Sequence, residues 1–275
     1  MRIESTVLMS LFWKENPVYL DQALESLYHQ TQLPDEILLV CEGDIPPPLM
    51  AIVNKWKQKF APDVIRTIPA DDAKGLPACL NKGIYAARGK YIFRFDTDDI
   101  CTPDRMEKQL AYFHQHPDVV LLSAPAEEYD MEMKERLGVR DVPVSHKAIL
   151  KRAKWRSPFS HTVAAYSREV AIELGGYPLV TAAEDYAFFA LFLVKGYKTD
   201  NIPDILAKAR AGKDFARRRK GMKFLKGELA SLAYMHKIGL YSKPLYYFHV
   251  VSKSVIRNLP SGVLVSIYKN FLRKQ

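Results

Sequence analysis

Three carboxylates within four residues, in the run Asp96-Thr97-Asp98-Asp99, are the strongest chemical signal in the chain. Like charges this close raise one another's pKa and repel, and a hard divalent cation with oxygen ligands, Mg²⁺ or Mn²⁺, relieves that repulsion. The competing reading is a solvated turn with Asp99 capping the next helix. The preceding run, Lys90-Tyr91-Ile92-Phe93-Arg94-Phe95, alternates aromatic and β-branched residues with basic ones, which predicts a buried strand ending at the acids. Two more acidic positions stand at the ends of predicted elements. Glu42 closes the apolar run of residues 36–41, and Glu184-Asp185 opens an almost wholly apolar helix. On local grounds alone, that pair is a helix-dipole feature.

The elements that must place these residues alternate along the chain. Residues 6–12 form a near-continuous apolar run, as in a parallel strand covered on both faces, and Tyr19, Leu20, Ala23, Leu24, Leu27 and Tyr28 recur at helical spacing. A second strand over 36–41, a helix over 49–60, a short strand over 64–68 and a helix over 77–87 follow. This order predicts a doubly wound α/β sheet, in which ligands bind beyond the carboxyl ends of the strands, where Glu42 and the Asp cluster lie. Thr102-Pro103-Asp104-Arg105 reads as a helix start, with Thr102 as N-cap and Pro103 in the first turn, and residues 119–123 read as a further strand. Residues 127–140 are charged and Met-rich without a clear period, and read as an excursion. No Gly-x-Gly-x-x-Gly follows the first strand and no Gly-x-x-x-x-Gly-Lys-Ser/Thr occurs, so a bound nucleotide needs a metal to hold its phosphates.

Four ordered blocks, residues 10–16, 35–43, 74–84 and 89–99, resemble successive blocks of the family 2 glycosyltransferases. Residues 155–163 and 173–177 resemble two later ones, an Asn-Pro-x-x-His block with Ser157 in place of Asn and His161 in register, and a Gly-Gly-Tyr turn. The resemblance implies a GT-A fold with a Rossmann-like mixed sheet, a nucleotide-diphosphosugar donor and inversion at the anomeric carbon. It also implies a divalent metal held by Asp96 and Asp98 with Asp99, bridging the donor diphosphate. Glu42, where the family has Asp, is then the acceptor of a hydrogen bond from the nucleotide base. Asp185 becomes the catalytic base with Glu184 as the alternative, and His161 lies on the acceptor side.

Bulk properties fit one large α/β domain with an appendage: 275 residues, 48% hydrophobic, with a formal charge of +9. The charge is concentrated in residues 208–275, where 16 Lys/Arg face 2 acidic residues, while residues 1–207 carry 24 basic and 29 acidic residues. That tail shows three amphipathic stripes, on Met222, Leu225, Leu229, Leu232 and Met235, on Leu245, Phe248, Val251, Val255 and Leu259, and on Leu264, Ile267, Tyr268, Phe271 and Leu272. None is an apolar run long enough to span a bilayer; such stripes either lie on an anionic lipid surface or pack on the main domain. Three cysteines, Cys41, Cys79 and Cys101, sit at no metal-like spacing and argue for a reducing compartment, and the apolar run of residues 6–13 is too short for a signal peptide.

These features give an expected division into a GT-A catalytic domain over 1–207 and a basic helical tail over 208–275. The expected activity is transfer of a hexose, from UDP-galactose or UDP-glucose, to a polyprenyl-diphosphate-linked sugar during surface polysaccharide assembly (O-antigen, capsule or exopolysaccharide). The expected place is the cytoplasmic face of the membrane, with no nucleic-acid partner. Two rivals stand against it. A metal-dependent nucleotidyltransferase requires a glycine-rich loop after the first strand, and residues 12–17 contain no glycine. A non-enzymatic membrane or nucleic-acid binder accounts for the basic tail but not for acids at three element ends.

Overall fold

The computed structural model describes residues 3–212 and 222–257. β1 (Ser5–Phe12), α1 (Pro17–Tyr28), β2 (Glu36–Glu42), α2 (Pro47–Lys59), β3 (Ile65–Pro69), α3 (Leu76–Ala86) and β4 (Tyr91–Arg94) alternate as the hydrophobic spacing predicts. There follow β5 (Ile100–Cys101), α4 (Arg105–Gln115), β6 (Val119–Ser123), β7 (Ala126–Tyr129), β8 (Arg136–Arg140), α5 (His146–Arg152), β9 (Ala165–Ser167), α6 (Arg168–Glu173), α7 (Glu184–Val194), β10 (Lys198–Asn201) and β11 (Ala207–Arg210). Two further helices, α8 (Met222–Lys237) and α9 (Lys243–Arg257), close the described chain.

The main sheet has the order β10-β6-β9-β4-β1-β2-β3, parallel except for β9, which runs antiparallel to both β4 and β6. β1 lies inside it between β4 and β2, and its apolar run is explained by burial on both faces. Val7, Met9 and Leu11 pack with α1, α2 and α4 on one side, while Leu8 packs with α3 and α7 on the other. A smaller sheet, β5-β11-β7-β8, stands beside the carboxyl ends of the strands and includes β11 through Arg210. α7 is apolar on every face because it is sandwiched: Phe188, Phe189 and Phe192 share one core with Tyr166 of β9 and with Leu232 and Met235 of α8.

Two local expectations are corrected. The stretch 127–140 is a hairpin, β7 with β8, whose period is masked because charged side chains pair across it: Glu127 with Arg136 and Glu128 with Arg140, both at 2.8 Å. The Asp130 carboxylate closes its turn by accepting from the backbone N–H groups of Lys134 and Glu135. Thr102 is not the N-cap of α4; Asp104 occupies that position, and the Thr102 hydroxyl donates to Leu206 O at 3.3 Å. The third amphipathic stripe, residues 264–272, and the basic run 217–220 lie outside the described residues.

Candidate active site

Parallel pairing brings the carboxyl ends of β1, β2 and β4 to one edge. Phe12 is in register with Glu42, and β4 lies on the other side of β1, so the residues after all three strands converge. The chain leaving β4 carries the acids. Arg94, buried at 1% exposure, pairs its guanidinium with Asp96 and with the Phe95 carbonyl. A second buried arginine, Arg105, donates to Arg94 O at 2.7 Å and lies over the Phe95 ring. Burial opposes ionisation of Asp96, but the Arg94 charge, the His161 charge and hydrogen bonds from Arg94 and Thr162 together outweigh it and hold the carboxyl below its ordinary range.

The three aspartates are not equivalent. Asp99 is buried, with Oδ2 accepting from Thr162 Oγ1 at 2.6 Å and Oδ1 from the Arg210 N–H at 2.9 Å. Burial first, then the Asp96 and Asp98 charges, push it to about 8. Asp98 is only half-buried; burial and Asp96 raise it to about 6. Glu15, in the loop after β1, joins the cluster, raised to about 7 by burial and then by Asp98 and Asp96. Arg210 ties the cluster to its surroundings: its side chain bonds the Asp98 carbonyl, Gln22 of α1 and, at 2.8 Å, Met131 O, and it lies over the Tyr19 ring at 4.1 Å.

Among the described residues no three His, Cys, Asp or Glu side chains form a ready-made metal cage. The donor set nevertheless fits a cation that takes part of its coordination from a substrate. Two half-buried carboxylates, Asp96 and Asp98, lie close enough that the Asp96 charge raises Asp98, and Mg²⁺ or Mn²⁺ sites in nucleotide enzymes are commonly completed by substrate phosphates and water.

Glu42 ends β2, two strands from β4. Its Oε1 accepts from the Gly75 N–H at 2.9 Å, and Gly75, at φ 85°, supplies the left-handed turn that starts α3. Trp13, 46% exposed, lies against Gly43: a Cβ there would stand 3.5 Å from its ring. Trp13 and Glu15 were not singled out by sequence reasoning, although an aromatic and an acid directly after a central strand are a readable signal.

His161 begins a 3-10 turn, and its Nε2 lies 3.0 Å from the Tyr177 hydroxyl. Its pKa falls to about 4, through burial first and then the Arg94 charge, against the opposing charges of Asp185 and Asp96. His161 therefore stands within the fields of both acidic groups, the one after β4 and the one at the start of α7. Glu184 and Asp185 occupy the first turn of α7, where the helix dipole favours anions, behind Ala183 in the left-handed conformation at φ 54°. Ser157 takes a local role, its hydroxyl donating to Phe159 O at 3.0 Å.

A sequence model described as glycosyl transferase family 2 matches residues 7–175. The chain is 35% identical over 268 residues to the amylovoran biosynthesis glycosyltransferase AmsE of Erwinia amylovora, covering 96% of this chain and 97% of that protein. It is 30% identical over 269 residues to the UDP-Gal:alpha-D-GlcNAc-diphosphoundecaprenol beta-1,3-galactosyltransferase of Escherichia coli, covering 98% and 96%. Among solved structures, the mannosyltransferase PcManGT from Pyrobaculum calidifontis, in complex with GDP-Man and Mn2+, superposes with a TM-score of 0.64 at 16% identity, covering 97% of this chain and 79% of that one.

Proposed function

The chain belongs to glycosyl transferase family 2 and has the GT-A fold, and from that premise we propose that it transfers a hexose from a UDP-sugar to a polyprenyl-diphosphate-linked sugar in surface polysaccharide assembly, with inversion. The observation that carries this reading is that His161 stands within the electrostatic reach of two acidic groups, Asp96 after β4 and Asp185 at the start of α7, one suited to a diphosphate and one to an acceptor hydroxyl. The Escherichia coli relative, matched over nearly its whole length, uses UDP-Gal and a diphosphoundecaprenol-linked sugar. UDP-galactose is therefore the first donor to test, with UDP-glucose second.

In this reading the catalytic unit runs past the expected boundary at 207 to include β11, whose Arg210 bonds the Asp98 carbonyl, and the tail follows it. Asp96 and Asp98 would hold a divalent cation, Mn²⁺ or Mg²⁺, which would supply charge stabilisation to the departing nucleoside diphosphate. Asp99 supports them from the buried side. Glu42 accepts a hydrogen bond from the nucleotide base, its position set by the Gly75 N–H. Asp185 takes the proton from the acceptor hydroxyl as that oxygen attacks the anomeric carbon, on the face opposite the leaving diphosphate. Glu184 is the alternative base.

A polyprenyl-diphosphate-linked acceptor would bring the enzyme to the cytoplasmic face of a membrane. Among the described residues no helix is long and apolar enough to cross one. α9 instead presents Tyr247, Phe248, Val251 and Val255 to the outside, each at least 55% exposed, and Trp155 meets Phe248 edge to face at 5.9 Å. An amphipathic helix with aromatics and cations fits peripheral contact with anionic lipid.

The deciding assay supplies UDP-galactose or UDP-glucose with a short-chain lipid diphosphate-linked N-acetylglucosamine and follows transfer. Asp185→Asn is expected to lower kcat by roughly 10²–10⁴ with UDP affinity little changed. If Asp185→Asn keeps turnover and Glu184→Gln loses it, the base is Glu184; if neither donor yields product, the hexose assignment fails.

A further inference from the structure

A chain of polar contacts runs from α3, on the donor side, to His161. Asn81 of α3 grips the backbone of Tyr177 with both ends of its amide: Nδ2 donates to Tyr177 O at 2.9 Å, and Oδ1 accepts from Tyr177 N at 2.6 Å. The two residues are 96 positions apart in sequence. This approach requires glycine at 176, where φ is +73° and a Cβ would lie 2.9 Å from Asn81 Cγ and closer still to Oδ1. Tyr177, 1% exposed, stacks its ring on Phe188 of α7 at 4.0 Å and 19°. Its ring is thus fixed on one side by the backbone clamp and on the other by the helix that carries Glu184 and Asp185. Its hydroxyl oxygen then meets His161 Nε2 at 3.0 Å, and Tyr177 and Phe189 pack edge-on around the imidazole.

We propose that Asn81, Tyr177 and His161 form a positioning relay for sugar transfer, in which Asn81 fixes the Tyr177 backbone and the Tyr177 hydroxyl fixes the tautomer and ring orientation of His161. The physical basis is the complementarity of the two ring nitrogens. In a neutral imidazole one nitrogen donates and the other accepts; the Tyr177 hydroxyl can do either, so it selects a tautomer through its second neighbour, the buried and otherwise unpartnered Tyr166 hydroxyl, which draws the Tyr177 proton and leaves that oxygen to accept from Nε2–H, with Nδ1 as the acceptor. Burial and Arg94 keep this ring neutral, and burial keeps the Tyr177 hydroxyl protonated, so the contact is between neutral partners. Because Asn81 sits on a helix packed against β1 and β2, the relay ties the geometry of the acceptor side to the strands that carry the donor site.

The inference rests on the glycosyl-transfer reading, and its test separates the two. Tyr177→Phe keeps the ring stack and removes only the hydroxyl. It is expected to lower kcat for transfer roughly 10–100-fold, with the donor KM and the unfolding midpoint near wild type. In the His161→Ala background, Tyr177→Phe should add no further loss, since the hydroxyl acts only through the imidazole; additive losses would overturn the relay. Nitrogen-15 shifts of the His161 ring give a readout independent of activity: one neutral tautomer in the wild type, exchange between two in Tyr177→Phe. An unchanged tautomer in the variant overturns the proposal even if the wild type transfers no sugar. Asn81→Ala carries the same measurements if Tyr177→Phe does not fold.

Discussion

Adding one methyl group at Gly176 should be far more damaging than adding one at Gly175. Both glycines have left-handed backbone, φ +82° at Gly175 and +73° at Gly176, so alanine at either meets a penalty of about 1–2 kcal/mol, offset in part by a less flexible unfolded chain. At Gly175 nothing lies within 4 Å of the new Cβ, and the backbone term is the whole effect. At Gly176 the Cβ falls on the Asn81 amide, which must move and give up both hydrogen bonds to Tyr177. Each is worth about 1 kcal/mol, so Gly176→Ala should destabilise by roughly 3–4 kcal/mol against roughly 1–2 for Gly175→Ala. Urea unfolding of both variants, read as midpoints at constant m, measures the difference. In an Asn81→Ala background the excess at Gly176 should vanish, because the atoms it collides with are gone. Equal losses for the two glycines, or an excess that survives Asn81→Ala, would refute the clamp as the reason for glycine at 176.

Asp98→Asn should weaken Mn²⁺ binding in the presence of UDP by at least about tenfold, by titration calorimetry, while the fold stays near wild type, because Asp98 is half-buried at the edge of the cluster; an unchanged affinity would remove it from the cation site. His161 gives a pH signature. Its folded pKa, about 4, lies below its ordinary value, so the native state binds fewer protons between those pH values than the unfolded chain does. The stability it supports is complete above about pH 6.5 and is lost as pH falls towards 4, and His161→Asn should flatten that part of the urea midpoint profile relative to wild type. On α9, Phe248→Glu with Val251→Glu should reduce flotation of the full chain with anionic vesicles without lowering its unfolding midpoint, since these side chains are 56% and 62% exposed. Equal flotation of variant and wild type would leave α9 without a lipid role.

β1, β2, β4 and β6 were readable because they are buried on both faces and local hydrophobic period reports burial directly, whereas β9 and β10, three and four residues long, carry too few positions to show a period. β1, with Val7, Leu8, Met9 and Leu11 all at 0% exposure, needs no distant partner to be recognised as an inner strand. The hairpin of β7 and β8 shows where that signal fails: a strand pair held by Glu127–Arg136 and Glu128–Arg140 carries no apolar stripe, and its order depends on residues nine and twelve positions apart finding each other. The acidic cluster fails in the same way at finer scale. Asp96, Asp98 and Asp99 look alike in sequence, and what separates them comes from elsewhere in the chain. Thr162 and Arg210, 63 and 111 residues away, take up Asp99, whereas Asp96 is charged by Arg94 two residues back, and Asp98 is left at the surface with a raised pKa. Carboxylates of one spacing thus become a buried strut, an ion-paired acid and an open acid, and only the last two have surface from which to reach a ligand. The same logic extends to Arg94: the run 90–95 predicts a buried strand without assigning its arginine a role, and the structure buries that guanidinium against Asp96, where it is the foremost of the charges that favour the ionised carboxylate.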